Sequence, residues 1–255
     1  MNVWQAMLLG AVQGATEFLP VSSSGHMLLI RRLIGIEAGM MFDVMMHVGT
    51  LVAVCAVFRR ELIALFRPPF SRLGLVALAS VPAGLAGVLL SDEIDKVFGG
   101  GQWLFITFAL SAALVLATRR IAHAREIRGM AGRDVGIAEA AAMGAAQAVA
   151  LLPGLSRSAA TTFGGIAAGA EREKAVSFAF VMSVPVILGS ALLGAAGGLS
   201  GGAGALPTLV GAVTACAVGV PSAKLARFAI GRAASVPMAA YLIALSLLSL
   251  ALNIV

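Results

Sequence analysis

The chain has 255 residues, of which 60% are hydrophobic and 12% charged, with a mean hydropathy of +0.98 and a formal net charge of +6. A soluble domain carries about 25% charged residues, so most of this chain has lipid as its solvent. The positive balance does not indicate a nucleic-acid partner, because the basic residues sit in short loops between apolar runs, the pattern of a positive-inside membrane protein.

The first apolar region, 3–36, is broken by Pro20 and by Ser22-Ser23-Ser24-Gly25. It lacks a basic leader, and Gln13 and Glu17 interrupt it, so it reads as mature protein and not as a signal peptide. Backbone of this kind is tolerated at membrane depth only where protein or water surrounds it, which predicts a re-entrant helix–loop–helix hairpin. Gln13 and Glu17 lie four apart and share a helix face. A carboxylate at that depth costs roughly 2–3 kcal/mol and is expected to turn inward. The serines fall where a new helix starts, where hydroxyls cap free amides and the amides themselves favour an anion. His26 falls in the first turn of that helix, where a neutral imidazole can act as base or nucleophile.

Three spans follow, at 41–59, 72–90 and 103–121. Asp43 and His47 stand one helical turn apart near the start of the first, suited to the mouth of a site or a supporting contact. Cys55, like Cys216 later, lies inside an apolar run and reads as a small buried residue with no disulfide or metal role. The loop at 59–72 is basic (Arg59, Arg60, Arg67, Arg72), the one at 91–102 acidic (Asp92, Glu93, Asp95), and 119–134 basic again.

Region 136–170 repeats the first interruption, with Pro153-Gly154 and Ser156-Arg157-Ser158. Arg157 again stands at a helix start, with Thr161 one turn on, and its planar fork matches phosphate. Gln147 is expected to bond backbone within the hairpin, and Glu171 to Lys174 to form a solvated helix start. Spans at 175–196, 206–228 and 236–254 complete the chain, with an uncharged loop at 197–205 and a basic one holding Lys224, Arg227 and Arg232. Basic loops alternate with non-basic ones, which puts the basic side in the cytoplasm and the first hairpin on the outer side; Arg31 and Arg32 break that rule.

The hairpins look alike. Gly10-Ala11-Val12-Gln13 leads to Pro20-Val21-Ser22-Ser23-Ser24, and Gly144-Ala145-Ala146-Gln147 leads to Pro153-Gly154-Leu155-Ser156-Arg157-Ser158. Each unit is a hairpin plus three spans, and an odd number of crossings inverts the second copy. The expected fold is therefore an all-α integral membrane protein of six transmembrane helices and two re-entrant hairpins, an inverted-topology repeat. It is one membrane domain with halves of about 1–121 and 135–255, and its site lies near the midplane where the broken helices meet. Two helix N-termini, Arg157, the hydroxyls, Glu17 and His26 together make a pocket suited to a diphosphate, with Glu17 suited to a divalent ion on its oxygens.

Glu17-Phe18-Leu19-Pro20-Val21-Ser22-Ser23-Ser24-Gly25-His26 and Pro153-Gly154-Leu155-Ser156-Arg157-Ser158-Ala159-Ala160-Thr161 closely resemble the two signature motifs of the bacterial undecaprenyl-diphosphate phosphatases, or bacitracin-resistance proteins. The similarity extends over essentially the whole chain. It implies hydrolysis of undecaprenyl diphosphate to undecaprenyl phosphate and phosphate, recycling the lipid carrier for peptidoglycan synthesis, at a pocket open to the periplasm in the bacterial inner membrane. By the same resemblance Glu17, Ser23, His26 and Arg157 are catalytic, and Ser22, Ser24, Ser156, Ser158 and Thr161 bind substrate. Glu17 is associated with Mg²⁺ or Ca²⁺; Gln13 stands where many members carry glutamate, as a further metal-site position. Ser23, His26 or a water activated by His26 remain alternatives for the attacking group, and the metal, a homodimer and prenyl-length selectivity stay open. The rival reading is a secondary transporter or lipid flippase, since inverted repeats with broken helices are the usual transporter build.

Overall fold

The computed structural model describes residues 1–196, 203–229 and 235–254. Among them the regular elements are helical: α1 Val3–Thr16, α2 Ser23–Ile34, α3 Met40–Val57, α4 Arg59–Leu65, α5 Ser71–Phe98, α6 Leu104–Ile127, α7 Ile137–Val149, α8 Arg157–Ala168, α9 Arg172–Ala196, α10 Ala205–Ala229 and α11 Ser235–Ile254. A single isolated bridge joins Arg133 and Ala170. Six helices (α3, α5, α6, α9, α10 and α11) are long and apolar enough to cross a bilayer, in agreement with the six spans expected. The interrupted regions form the paired short helices α1/α2 and α7/α8, each broken at its proline.

Two spans outrun their expected ends. The acidic stretch from Asp92 to Lys96 is the last part of α5, and the basic stretch from Arg119 to Ile127 belongs to α6. Charge ends an apolar run but does not end a helix: Lys96 Nζ bonds Glu93 Oε1 at 2.6 Å across one turn. The uncharged loop expected at 197–205 lies largely outside the described residues, as does Arg232.

Small residues let the helices approach. A Cβ on Gly10 of α1 would lie 2.3 Å from the carbonyl oxygen of Gly211 in α10, so the two backbones touch. Helix α1 packs on α10 and α10 on α3; α5 packs on α7, α6 on α11, and α3 on α9. Leu78, Leu89 and Leu90 of α5 are exposed, a surface that hydrocarbon would cover. Cys55 is likewise exposed and Cys216 half-buried beside α3, both free, so the expectation of two buried cysteines fails.

Candidate active site

Two chain turns meet at the centre of the molecule. The first follows α1, whose C-cap is Glu17, and ends at Ser22, the N-cap of α2, where the hydroxyl accepts the Gly25 amide at 3.2 Å. Ser22 has φ 68°, a left-handed conformation rare for serine and found preferentially at functional sites. The second turn follows α7 through Pro153-Gly154 to Ser156, the N-cap of α8, whose hydroxyl accepts the Ala159 amide at 3.3 Å. Gly154 has φ 87°, and a Cβ there would lie 2.1 Å from Thr107 Oγ1, so only glycine fits.

The turns are fastened to one another. The Gly154 amide donates to Ser24 Oγ at 3.2 Å, and Ser158 Oγ donates to the Leu19 carbonyl at 2.9 Å. The Ser156 amide donates to Ser111 Oγ of α6 at 2.9 Å, anchoring the second turn to a span. Arg157, the first residue of α8, ion-pairs through its guanidinium with Glu17 Oε1. Glu17 Oε2 accepts from Ser23 Oγ at 2.5 Å and from Gln13 Nε2 at 2.8 Å. The carboxylate is buried, and losing either charged partner would strand the other in low dielectric.

A cavity of about 200 Å³ opens on this cluster, its polar wall formed by Glu17, Ser22, Ser23, Ser24, His47, Gln147, Ser156 and Arg157. Beside it, sharing Val44, Leu151, Val186 and Ser190, lies a larger and mainly apolar cavity of about 1140 Å³ between α3, α5 and α9.

Of the residues singled out from sequence, Glu17, Ser22, Ser23, Ser24, Ser156 and Arg157 line the polar cavity, whereas His26, Ser158 and Thr161 do not. His26 Nδ1 lies 2.7 Å from the Ser22 carbonyl and therefore donates; Nε2, 2.7 Å from the Tyr241 hydroxyl, then accepts. Its ring stacks on Tyr241 and meets the edge of Phe108. In the first turn of α2, as expected, His26 thus packs against α6 and α11 and bonds the N-cap carbonyl, while Ser23 faces the cavity. Ser158 is spent on the link to Leu19, and Thr161 Oγ1 bonds the Arg157 carbonyl at 2.8 Å.

Gln13 presents its amide nitrogen to Glu17 and lies 3.1 Å from His47 Nδ1, so it braces the carboxylate. His47, 3.6 Å from Glu17 Oε2, belongs to the cluster itself and not merely to its mouth. The available signal was a single imidazole within a largely apolar span. Asp43, one turn earlier, instead ion-pairs with Arg31. Gln147 does not bond backbone: neither atom of its buried amide has a partner. Among the described residues no three His, Cys, Asp or Glu side chains converge as a metal cage. The donor set, one carboxylate with hydroxyls, fits an ion held mainly by phosphate oxygens.

The family description "Bacitracin resistance protein BacA" matches residues 6–248. Among similar proteins, one from Rubrobacter xylanophilus is 40% identical over 230 residues, covering 84% of this chain and 83% of its own. One from Thermomicrobium roseum is 42% identical over 76% of each chain. One from Carboxydothermus hydrogenoformans is 39% identical over 76% of this chain and 73% of its own. All three are named undecaprenyl-diphosphatase. With the match spanning both turns and five of the long helices and reaching into the sixth, the chain belongs to the bacitracin resistance protein BacA family.

Proposed function

We propose that the chain is an undecaprenyl-diphosphate phosphatase, which converts undecaprenyl diphosphate and water to undecaprenyl phosphate and phosphate and thereby confers bacitracin resistance. The observation that carries this reading is the convergence of two capped helix N-termini, Arg157 and a Ser23–Glu17 pair on one cavity. Amide-rich helix ends and a guanidinium hold phosphate, and the adjoining apolar cavity has the lining a prenyl chain needs.

With substrate absent, Arg157 is paired with Glu17. An arriving diphosphate competes for the guanidinium and leaves Glu17 able to take the Ser23 proton. Ser23 Oγ attacks the terminal phosphorus, a new O–P bond forms, and the bond to the bridging oxygen breaks, releasing undecaprenyl phosphate. Water then cleaves the phosphoserine, Ser23 regains its proton and phosphate departs. Positioning and charge stabilisation supply most of the rate. A Mg²⁺ or Ca²⁺ ion on the diphosphate, with Glu17 as its protein ligand, would neutralise charge on the leaving group. His26 and Tyr241 hold the start of α2 through the Ser22 carbonyl.

The packing also supports an inverted repeat with halves near 1–121 and 135–255. The first helix of each hairpin lies on a span of the opposite half (α1 on α10, α7 on α5), while the equivalent pairs α3/α9 and α6/α11 meet each other. In this reading α1/α2 and α7/α8 are the re-entrant hairpins. The cavity opens to the periplasmic side of the inner membrane, and Arg31, one of the two exceptions to the charge rule, is neutralised there by Asp43.

Phosphate release from undecaprenyl diphosphate by purified protein in detergent tests the proposal. An enzyme turns over without a gradient and a carrier does not. Turnover that stops with EDTA and returns with Mg²⁺ or Ca²⁺ is expected. No phosphate release with either metal would overturn the reading; turnover undiminished by EDTA would remove the metal from it.

A further inference from the structure

Gln147 is the one polar group of the cavity wall, among the described residues, whose amide oxygen and nitrogen are both buried without a hydrogen-bond partner. It lies in the last turn of α7 and is 1% exposed. Leaving a buried amide unpaired costs roughly 1–3 kcal/mol, and an apolar side chain of similar size would avoid that cost. Gln13, at the matching position of the first hairpin, meets no such difficulty, being bonded to Glu17. The second hairpin has no carboxylate at the corresponding place, Leu151, and Gln147 lies in the cavity wall with its amide unpaired.

We infer that the Gln147 carboxamide is a substrate-binding group, donating from its nitrogen to a non-bridging oxygen of the diphosphate. Its carbonyl accepts from a water attending that group. This rests on the phosphatase reading and adds a residue to it. Arg157 supplies charge, whereas Gln147 supplies a directional contact from the neighbouring helix, fixing which phosphate lies before Ser23.

The test compares wild type with Gln147→Leu and Gln147→Glu, as purified full chains in detergent. Steady-state kinetics on undecaprenyl diphosphate and thermal midpoints without substrate are measured for each. Gln147→Leu is expected to raise KM about tenfold, the equivalent of one hydrogen bond to a charged group, without lowering the thermal midpoint. Gln147→Glu keeps the shape but sets a negative charge against the phosphate, and should raise KM further. Unchanged KM and kcat in Gln147→Leu would overturn the inference, as would a midpoint lowered in that variant together with normal kinetics in Gln147→Glu. A wild-type chain that releases no phosphate would defeat the phosphatase reading itself, a separate failure.

Discussion

The two turns that face one another across the cavity are built alike and used differently. Each opens its helix with a capping serine, and each places a second serine two residues on, Ser24 at 3.4 Å from Ser22 and Ser158 at 3.3 Å from Ser156. The residue between those serines is where they diverge. It is Ser23 in one turn and Arg157 in the other, and these two side chains take the two oxygens of the same carboxylate, Glu17. Two serine-capped helix starts, whose cap backbones differ (Ser22 φ 68°, Ser156 φ −71°), therefore deliver a hydroxyl and a cation to one point. The chemistry is decided by a single side chain at the first helical position, while the caps supply the geometry.

That contrast can be broken most forcefully at Ser23. If it is the attacking group, Ser23→Ala should reduce phosphate release by on the order of 10³-fold or more, since little but residual binding and electrostatics would remain. Activity within tenfold of wild type would move the attack to water. Next comes Arg157→Ala, which should lower kcat/KM by about 10²–10³-fold, the size of a lost charge-stabilising donor. Arg157→Lys should recover only part of this, because a point charge cannot reproduce the fork. Full recovery would show that charge alone matters at this position. The smallest effect is expected at Tyr241→Phe, which removes the partner of His26 Nε2 while leaving the cavity wall intact. A loss of no more than about tenfold, one hydrogen bond's worth, fits a positioning role. A loss as large as that of Ser23→Ala would place His26 and Tyr241 in the chemistry itself.

Much of this was legible in the chain. Apolar runs of spanning length announce the six long helices, because lipid requires an unbroken length of helix. Pro20 and Pro153 with their serine runs announce the two broken elements, because a helix cannot pass them uncapped at those points. Span ends were less legible: Asp92 to Lys96 mark where hydrocarbon is expected to stop, but α5 continues to Phe98 since its backbone bonds do not require lipid. His47 was undervalued because its distance from Glu17 depends on how α3 rotates about its axis once packed, and no local spacing encodes that rotation.

By itself the sequence determined the solvent, the number of spans, the two capped helix starts and the residue types available for phosphate chemistry. All of these follow from local periodicity, capping and the energetics of burying backbone in lipid. Only the tertiary structure decided which side chains share a cavity. It set Ser23 and Arg157 on opposite oxygens of Glu17, turned His26 to Tyr241, and left the Gln147 amide without a partner. Those outcomes depend on contacts between residues more than 100 positions apart, such as Ser24 to Gly154, which exist only once the helices have docked.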